Sequence, residues 1–323
     1  YGDHRDLHLS IRRQRQMCIR DRPNRPISDL LEIMENTGFQ GKNLAKVVTV
    51  LEHMSKDPNI TILFGYAGSL STTGQWKIIN WFLENNLIDI LVPTGANISE
   101  DIVEAMGGSY IQYSHNSPDE ELFKKGYNRY YDIIGSEKEY LDMTELIAEF
   151  IQTLDDKYNY SSREFLYLFG LWLSDKKIES IVSVAAKNNV PIICPAFPDS
   201  PYGDAALIAN AKGFSLTIDS IKDYREYMSL AEHVVDTGVV YIGGGVHKDW
   251  ILLISVTADL LYESREVPNR KDGKNRDNTG EQESYYPHKY AVQITTDSPQ
   301  WGGLSGCTFE EAVSWGKEAP HGE

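Results

Sequence analysis

The 323-residue chain is 41% hydrophobic and 24% charged, enough for one large domain or two modest ones. No run approaches the 18 apolar residues of a membrane span, and the start does not read as a secretory signal. A net charge of −16 works against nucleic-acid phosphates and attracts cations, polyamines included, although solubility alone is the simpler account of such a surface.

Three scattered cysteines, Cys18, Cys194 and Cys307, fit neither a disulfide framework nor a CxxC metal site. A reducing cytoplasm without a structural metal is the simplest setting. The first 22 residues carry six arginines and three acids, a local net of +3, with no apolar period. Residues 1–25 therefore read as a disordered or non-native leader, with a basic interaction tail as the alternative.

From Pro26 the pattern becomes regular. Residues 27–36 predict a short helix, with Ser28 as its N-cap and Gly38 past its end. A second helix is expected over 43–56. ITILFG, 60–65, predicts a buried strand. A helix over 73–85 and a strand over 88–93 follow, the latter running into TGAN. Residues 99–106 predict a helix with Glu100 and Asp101 in its first turn, where the dipole favours them. The polar, aromatic stretch 114–132 reads as a surface excursion. Helical patterns cover 137–156 and 161–189, then VPIICPAF, 190–197, predicts a strand. VVYIGGGV, 239–246, is a strand entering three glycines, and a helix is expected over 250–262. Residues 263–284 read as a flexible insert, and 290–296 as a last strand.

Strands alternating with helices imply an α/β, Rossmann-like fold with a mostly parallel sheet and helices on both faces. Ligands of such sheets sit beyond the carboxyl ends of the strands. That topology gathers the loops 65–74, 94–97, 195–204, 243–249 and 295–305.

Three loops carry candidate chemistry. Gly243–Gly245 would let backbone N–H groups approach a phosphate at a helix start, or form only a tight turn. It is not GxGxxG, so the usual dinucleotide fingerprint is absent, which counts against an ordinary Rossmann dehydrogenase. GYAGSLSTTG, 65–74, suits phosphate or ribose binding, or merely caps a helix. In SGCTFEEAVSWGK, Thr308 and Glu311 have capping-box spacing and Gly316 stands where a helix would end. Those roles leave Trp315 and Lys317 unaccounted for. A lysine beside an indole loses solvent, which favours the uncharged amine that forms a Schiff base.

TGANISEDIVEA, DSPYGD, IGGGV and EEAVSWGK occur in this order, and together they resemble the signature blocks of the deoxyhypusine synthase family, in particular its prokaryotic deoxyhypusine synthase-like branch. The resemblance runs from about Pro26 to Lys317 and makes 26–323 one NAD-binding catalytic domain. It implies NAD as cofactor, spermidine or a related polyamine as donor, and an amine acceptor. It also implies a cytoplasmic homotetramer with active sites at a dimer interface.

Residue by residue, the resemblance makes Lys317 the imine-forming residue. Trp315, Glu311 and Asp204 line the polyamine site, with Asp249, Gly302 and Gly303 beside them. The NAD contacts it implies are Gly68, Ser69, Leu70, Ser71 and Thr72; Thr94, Gly95, Ala96 and Glu100; and Asp199, Gly244, Thr296 and Asp297.

The chain departs from the family at several places. Asp249 stands where a histidine is usual, Leu304 where an acid is, and Ser99 at a second acidic position. These changes leave a protein lysine, putrescine and agmatine open as acceptors. A homospermidine synthase-like enzyme is therefore an alternative, as is a catalytically deficient NAD-binding subunit of a hetero-oligomer. The family's DA motif after the lysine is missing, so the chain reads as truncated at its C-terminus.

Overall fold

The computed structural model describes residues 26–114, 118–231, 234–261 and 288–318. The leader 1–25 and the insert 263–284, as read from the sequence, lie outside the described residues. The chain divides into two compact units at Pro58. The first holds α1 (Ile27–Met34) packed on α2 (Phe39–Lys56). Ser28 is not the cap of α1: Pro26 occupies that place, and the Ser28 hydroxyl turns to Asp29 instead. Helix α2 starts four residues earlier than its apolar pattern, because Gly38 supplies an extended N-cap.

The second unit is built on a four-stranded parallel sheet of β1 (Ile60–Tyr66), β2 (Ile90–Pro93), β8 (Asp236–Ile242) and β9 (Tyr290–Ile294), in the order β2-β1-β8-β9. β1 is central, and both its faces are apolar. Alternation along it assigns those faces. Phe64 meets Phe82 of α3 (Trp76–Glu84), with ring centroids 6.0 Å apart. Gly65 points the other way, to α11 (Val246–Leu261), where a Cβ would come within 2.7 Å of Ile251 Cδ1. Helices thus cover both faces, as the strand–helix alternation implies. On the α11 side, Leu63, Val92, Val239, Tyr241, Ile251 and Leu252 form one buried cluster with Tyr227 and Met228 of α10 (Ser220–Ala231).

The expected strand at 190–197 contributes a single bridge, Leu91 to Ile192. Pro191 and Pro195 lack the N–H groups a ladder needs, and the Cys194 N–H goes to Ser162 Oγ at 2.9 Å. The helix expected over 137–156 is α6 (Glu137–Ile151), and the helical stretch 161–189 is two helices, α7 (Ser162–Asp175) and α8 (Ile181–Lys187). Lys177 adopts a left-handed backbone (φ 61°), and Ser180 opens a new capping box with Ser183. The two pack at Gly170, where a Cβ would meet Val182 O at 2.3 Å.

The excursion is more ordered than its composition suggests. β3 (Tyr110–Gln112), β4 (Tyr127–Tyr130) and β5 (Ile133–Ser136) form an antiparallel sheet, with α5 (Asp119–Lys124) between β3 and β4. A short parallel pair, β6 (Asn159–Tyr160) with β7 (Thr217–Ile218), and two further helices had no predicted counterpart: α9 (Pro201–Ala211), with proline at its first position, and α10. Among the described residues no helix is long and apolar enough to cross a membrane.

Candidate active site

The loops follow the carboxyl ends of the strands and touch one another. Ala67 N–H donates to Ile242 O at 3.0 Å and Gly243 N–H to Ile294 O at 2.8 Å, so the ends of β1, β8 and β9 stay in register. The first group of candidate residues is held by Asn97, which is fully buried. Its amide donates to Gly68 O and to Thr94 Oγ1 (2.9 Å), and its Oδ1 accepts from Leu70 N (3.1 Å). Ser71 Oγ donates to the Asn97 carbonyl. One side chain thus staples the 68–72 loop to the 94–97 loop. Gly95 packs on Ser200, where a Cβ would meet Ser200 Oγ at 2.3 Å. Gly68 and Ser69 are exposed, Ser71 and Thr72 buried.

Glu100 and Asp101 enter α4 (Asp101–Ala105) as buried acids. Asp101 Oδ2 accepts from Ile181 N at 2.6 Å, while Oδ1 has no hydrogen-bond partner among the described residues. Burial pushes both carboxyls up to about 7; for Glu100 the neighbouring Asp101 charge adds to the rise. Asp199 and Asp204 are exposed. Asp204 shares an electrostatic neighbourhood with Glu100 through Tyr140.

The second group surrounds Lys317. α12 (Phe309–Ser314) begins with Thr308 Oγ1 accepting from Glu311 N at 3.1 Å. It ends with Gly316 in the left-handed region (φ 72°), as the sequence pattern implies. Gly316 N–H donates to Val313 O (2.9 Å) and Lys317 N–H to Ala312 O (3.0 Å), the two bonds of a Schellman ending. The Lys317 carbonyl accepts from His288 N (3.1 Å) and Ser255 Oγ (3.2 Å). With its backbone fixed on both sides, the side chain is only 12% exposed. Its Nζ lies 3.1 Å from Asp249 Oδ1 and 5.2 Å from the centroid of the Trp315 ring. Asp249 and Trp315 remain 48% and 39% exposed, so the amine sits at the inner end of an accessible surface.

Asp297 accepts from Ser305 Oγ, and Thr296, Gly302, Gly303 and Glu311 are exposed. The described contacts join Lys317, Asp249 and Trp315 directly.

Gly244 is pressed on Ser305, where a Cβ would lie 2.1 Å from the Ser305 Cα. Gly244→Ala is therefore expected to part the glycine turn from the 305–307 segment and cost about 1–3 kcal/mol. Urea unfolding of the variant checks this, and a midpoint equal to wild type would contradict it.

Three side chains in this region went unread in the sequence: Lys248, Gln293 and Glu318. Lys248 is fully buried, and its ammonium donates to Gln293 Oε1 (2.8 Å) and Cys307 O (2.7 Å). Glu318 is 4% exposed, and burial raises its carboxyl well above the ordinary range. The available signals were a glutamine inside the apolar strand YAVQI and a lysine two positions ahead of the anticipated helix. Among the described residues no group of three or more His, Cys, Asp or Glu is arranged for a metal.

Parallel strands, glycine-bearing turns at their carboxyl ends and a sequestered lysine define an α/β protein whose candidate residues follow one end of the sheet. Comparison with known proteins narrows this class. The family model described as deoxyhypusine synthase matches residues 29–323. The chain is 42% identical over 302 residues to "Probable deoxyhypusine synthase 2" of Methanosarcina acetivorans, covering 93% of this chain and 81% of that one. It is 41% identical over 284 residues to the Archaeoglobus fulgidus protein of the same name, covering 88% and 87%. To the "Deoxyhypusine synthase-like protein" of Chlorobaculum parvum it is 34% identical over 294 residues, covering 89% and 78%. The fold is also that of the "putative deoxyhypusine synthase from Entamoeba histolytica", with a TM-score of 0.54 at 22% identity over 69% of this chain and 77% of that one. The chain belongs to the deoxyhypusine synthase family.

Proposed function

We propose that the chain is an NAD-dependent transferase that moves the aminobutyl group of spermidine, or a related polyamine, to an amine acceptor through an imine with Lys317. The observation that carries this reading is Lys317 Nζ held 3.1 Å from Asp249 Oδ1 and 5.2 Å from the Trp315 ring. The amine is nearly closed to solvent, yet its two neighbours are open to an approaching cation.

The residues fit NAD. Gly68 and Gly245 have left-handed backbones (φ 91° and 101°), and no described residue lies within 4 Å of where a side chain would begin. Their turns thus leave backbone N–H groups approachable at the ends of two parallel strands. Gly68, Ser69, Leu70, Ser71, Thr72, Thr94, Gly95, Ala96, Glu100, Asp199, Gly244, Thr296 and Asp297 would hold it. When bound, NAD supplies the oxidation, and later the re-reduction, of the carbon beside the secondary amine of the donor.

Lys317 gives up a proton to Asp249, which stands within hydrogen-bonding distance, and its free electron pair then attacks the oxidised carbon. The old carbon–nitrogen bond breaks and diaminopropane leaves with a proton. An acceptor amine displaces Lys317 in the same way. Glu311, Asp204 and the backbone of Gly302 and Gly303 receive the polyamine ammonium groups, since a buried unpaired cation costs several kcal/mol. The Trp315 face adds roughly 0.5–2 kcal/mol by cation–π contact. The working form is a cytoplasmic homotetramer with its sites at the dimer interface.

Mass spectrometry of the products from NAD with spermidine, putrescine and agmatine tests the reading. Release of diaminopropane with an aminobutylated amine is the expected result. NADH accumulation without amine exchange would mark an ordinary dehydrogenase instead.

A further inference from the structure

Lys248 takes no part in the reaction above, yet it is 0% exposed, a rare state for lysine. Its ammonium donates to Gln293 Oε1 and Cys307 O, at 2.8 and 2.7 Å. Gln293 carries the connection further: its Nε2 donates to Gly243 O (2.8 Å) and Ser305 O (2.9 Å). These four bonds tie the middle of β9 to the glycine turn on one side and to the 305–307 segment on the other. The clamped Cys307 carbonyl lies one residue before the cap of α12, the helix that delivers Trp315 and Lys317. The residue following Lys248 is Asp249, the partner of Lys317.

The surroundings are not those of a solvated lysine. The rings of Tyr241 and Phe309 lie 5.7 Å from its Nζ. Burial lowers the ammonium below the ordinary lysine value, opposed by the neighbouring acidic groups of Cys307, Glu318 and Glu311. Glu318 Oε1 and the Tyr241 hydroxyl are buried without a hydrogen-bond partner among the described residues. Stability alone does not call for a cation there, because an apolar side chain of similar volume usually serves as well. What the ammonium adds is direction: bonds to two separate segments from one point.

We propose that Lys248 is a positioning residue whose ammonium, with Gln293, clamps the glycine turn to the 305–307 segment and so holds Lys317 against Asp249 and Trp315. The inference rests on Lys317 being the nucleophile proposed above. Its test therefore has one readout that needs no turnover.

Full-length wild type, Lys248→Met and Gln293→Glu are compared. Methionine keeps the unbranched bulk between the two rings, and circular dichroism checks that the variant folds. The first readout is reductive methylation of Lys317 by formaldehyde and cyanoborohydride, followed by peptide mass spectrometry. The second is kcat and KM for diaminopropane release. In Lys248→Met, Lys317 is expected to methylate several-fold faster as it leaves Asp249 for solvent, and kcat to fall on the order of tenfold or more, with KM for NAD changed less than about twofold. Gln293→Glu keeps an acceptor for Lys248 but gives up the donors to Gly243 and Ser305. It is expected to move both readouts in the same direction, and it decides the matter if the methionine variant does not fold. Methylation of Lys317 at the wild-type rate in the folded variants overturns the clamp. If wild type transfers no aminobutyl group while the variants still methylate faster, the proposed reaction fails and the clamp stands.

Discussion

Lys317→Arg is expected to release no diaminopropane from spermidine and NAD, a loss on the order of a thousandfold or more, while the protein stays folded. Arginine cannot be deprotonated near neutral pH, so it cannot supply the free electron pair that forms an imine. It keeps a cation beside Asp249 and the Trp315 ring, so the local ion pair survives. That pair is partly open to solvent, and such pairs contribute roughly 0–1 kcal/mol. The two measurements are product by mass spectrometry and the thermal midpoint. Substantial product from the arginine variant would remove Lys317 from the chemistry altogether.

The second large effect concerns pH. Glu100 and Asp101 are buried acids with carboxyls raised to about 7. Their folded values lie above the ordinary carboxylate value of about 4, so the folded chain binds protons more tightly than the unfolded one. The stability they contribute is fully present below about pH 4 and is lost as pH rises through about 7. Each group steepens the loss by at most about 1.4 kcal/mol per pH unit in that window. Asp101→Asn keeps an oxygen to accept the Ile181 N–H and removes one titration. Its thermal midpoint is expected to fall less between pH 4.5 and 7.5 than that of wild type. Parallel pH curves for the two proteins would show that Asp101 is already ionised in the fold.

The parallel sheet was legible because β1, β8 and β9 are short apolar runs bounded by glycine or polar residues, the pattern of a doubly covered strand. The segment 190–197 has the same composition, but its two prolines deny it a ladder, and the apolar content outweighed them in the reading. Helix α10, SIKDYREYMSLA, buries Tyr227 and Met228 but is otherwise polar enough to pass for a loop.

At the site, Lys317 stood out because capping explained its neighbours and left it over. The Asp249 contact spans 68 residues and is beyond any local pattern, although Asp249 itself was a candidate. Lys248 was passed over for the opposite reason: a lysine near a glycine turn reads as solvated, and only its acceptors, 45 and 59 residues away, make burial tolerable. Asn97 was seen as part of TGAN but not as the staple of two loops. Its partners in the 68–72 loop lie nearly thirty residues upstream.

Consecutive residues on a helix point about 100° apart, and the first turn of α11 uses that angle to send one cation inward and one anion outward. One extra residue in the turn at Gly243–Gly245 would advance every side chain by a step. His247 would then fall into the place of Lys248, and Lys248 would swing to the place of Asp249, ammonium facing ammonium across the gap to Lys317. The length of that turn is thus more tightly constrained than its spelling, and a lineage that lengthened it would have to rewrite both ends of the contact together.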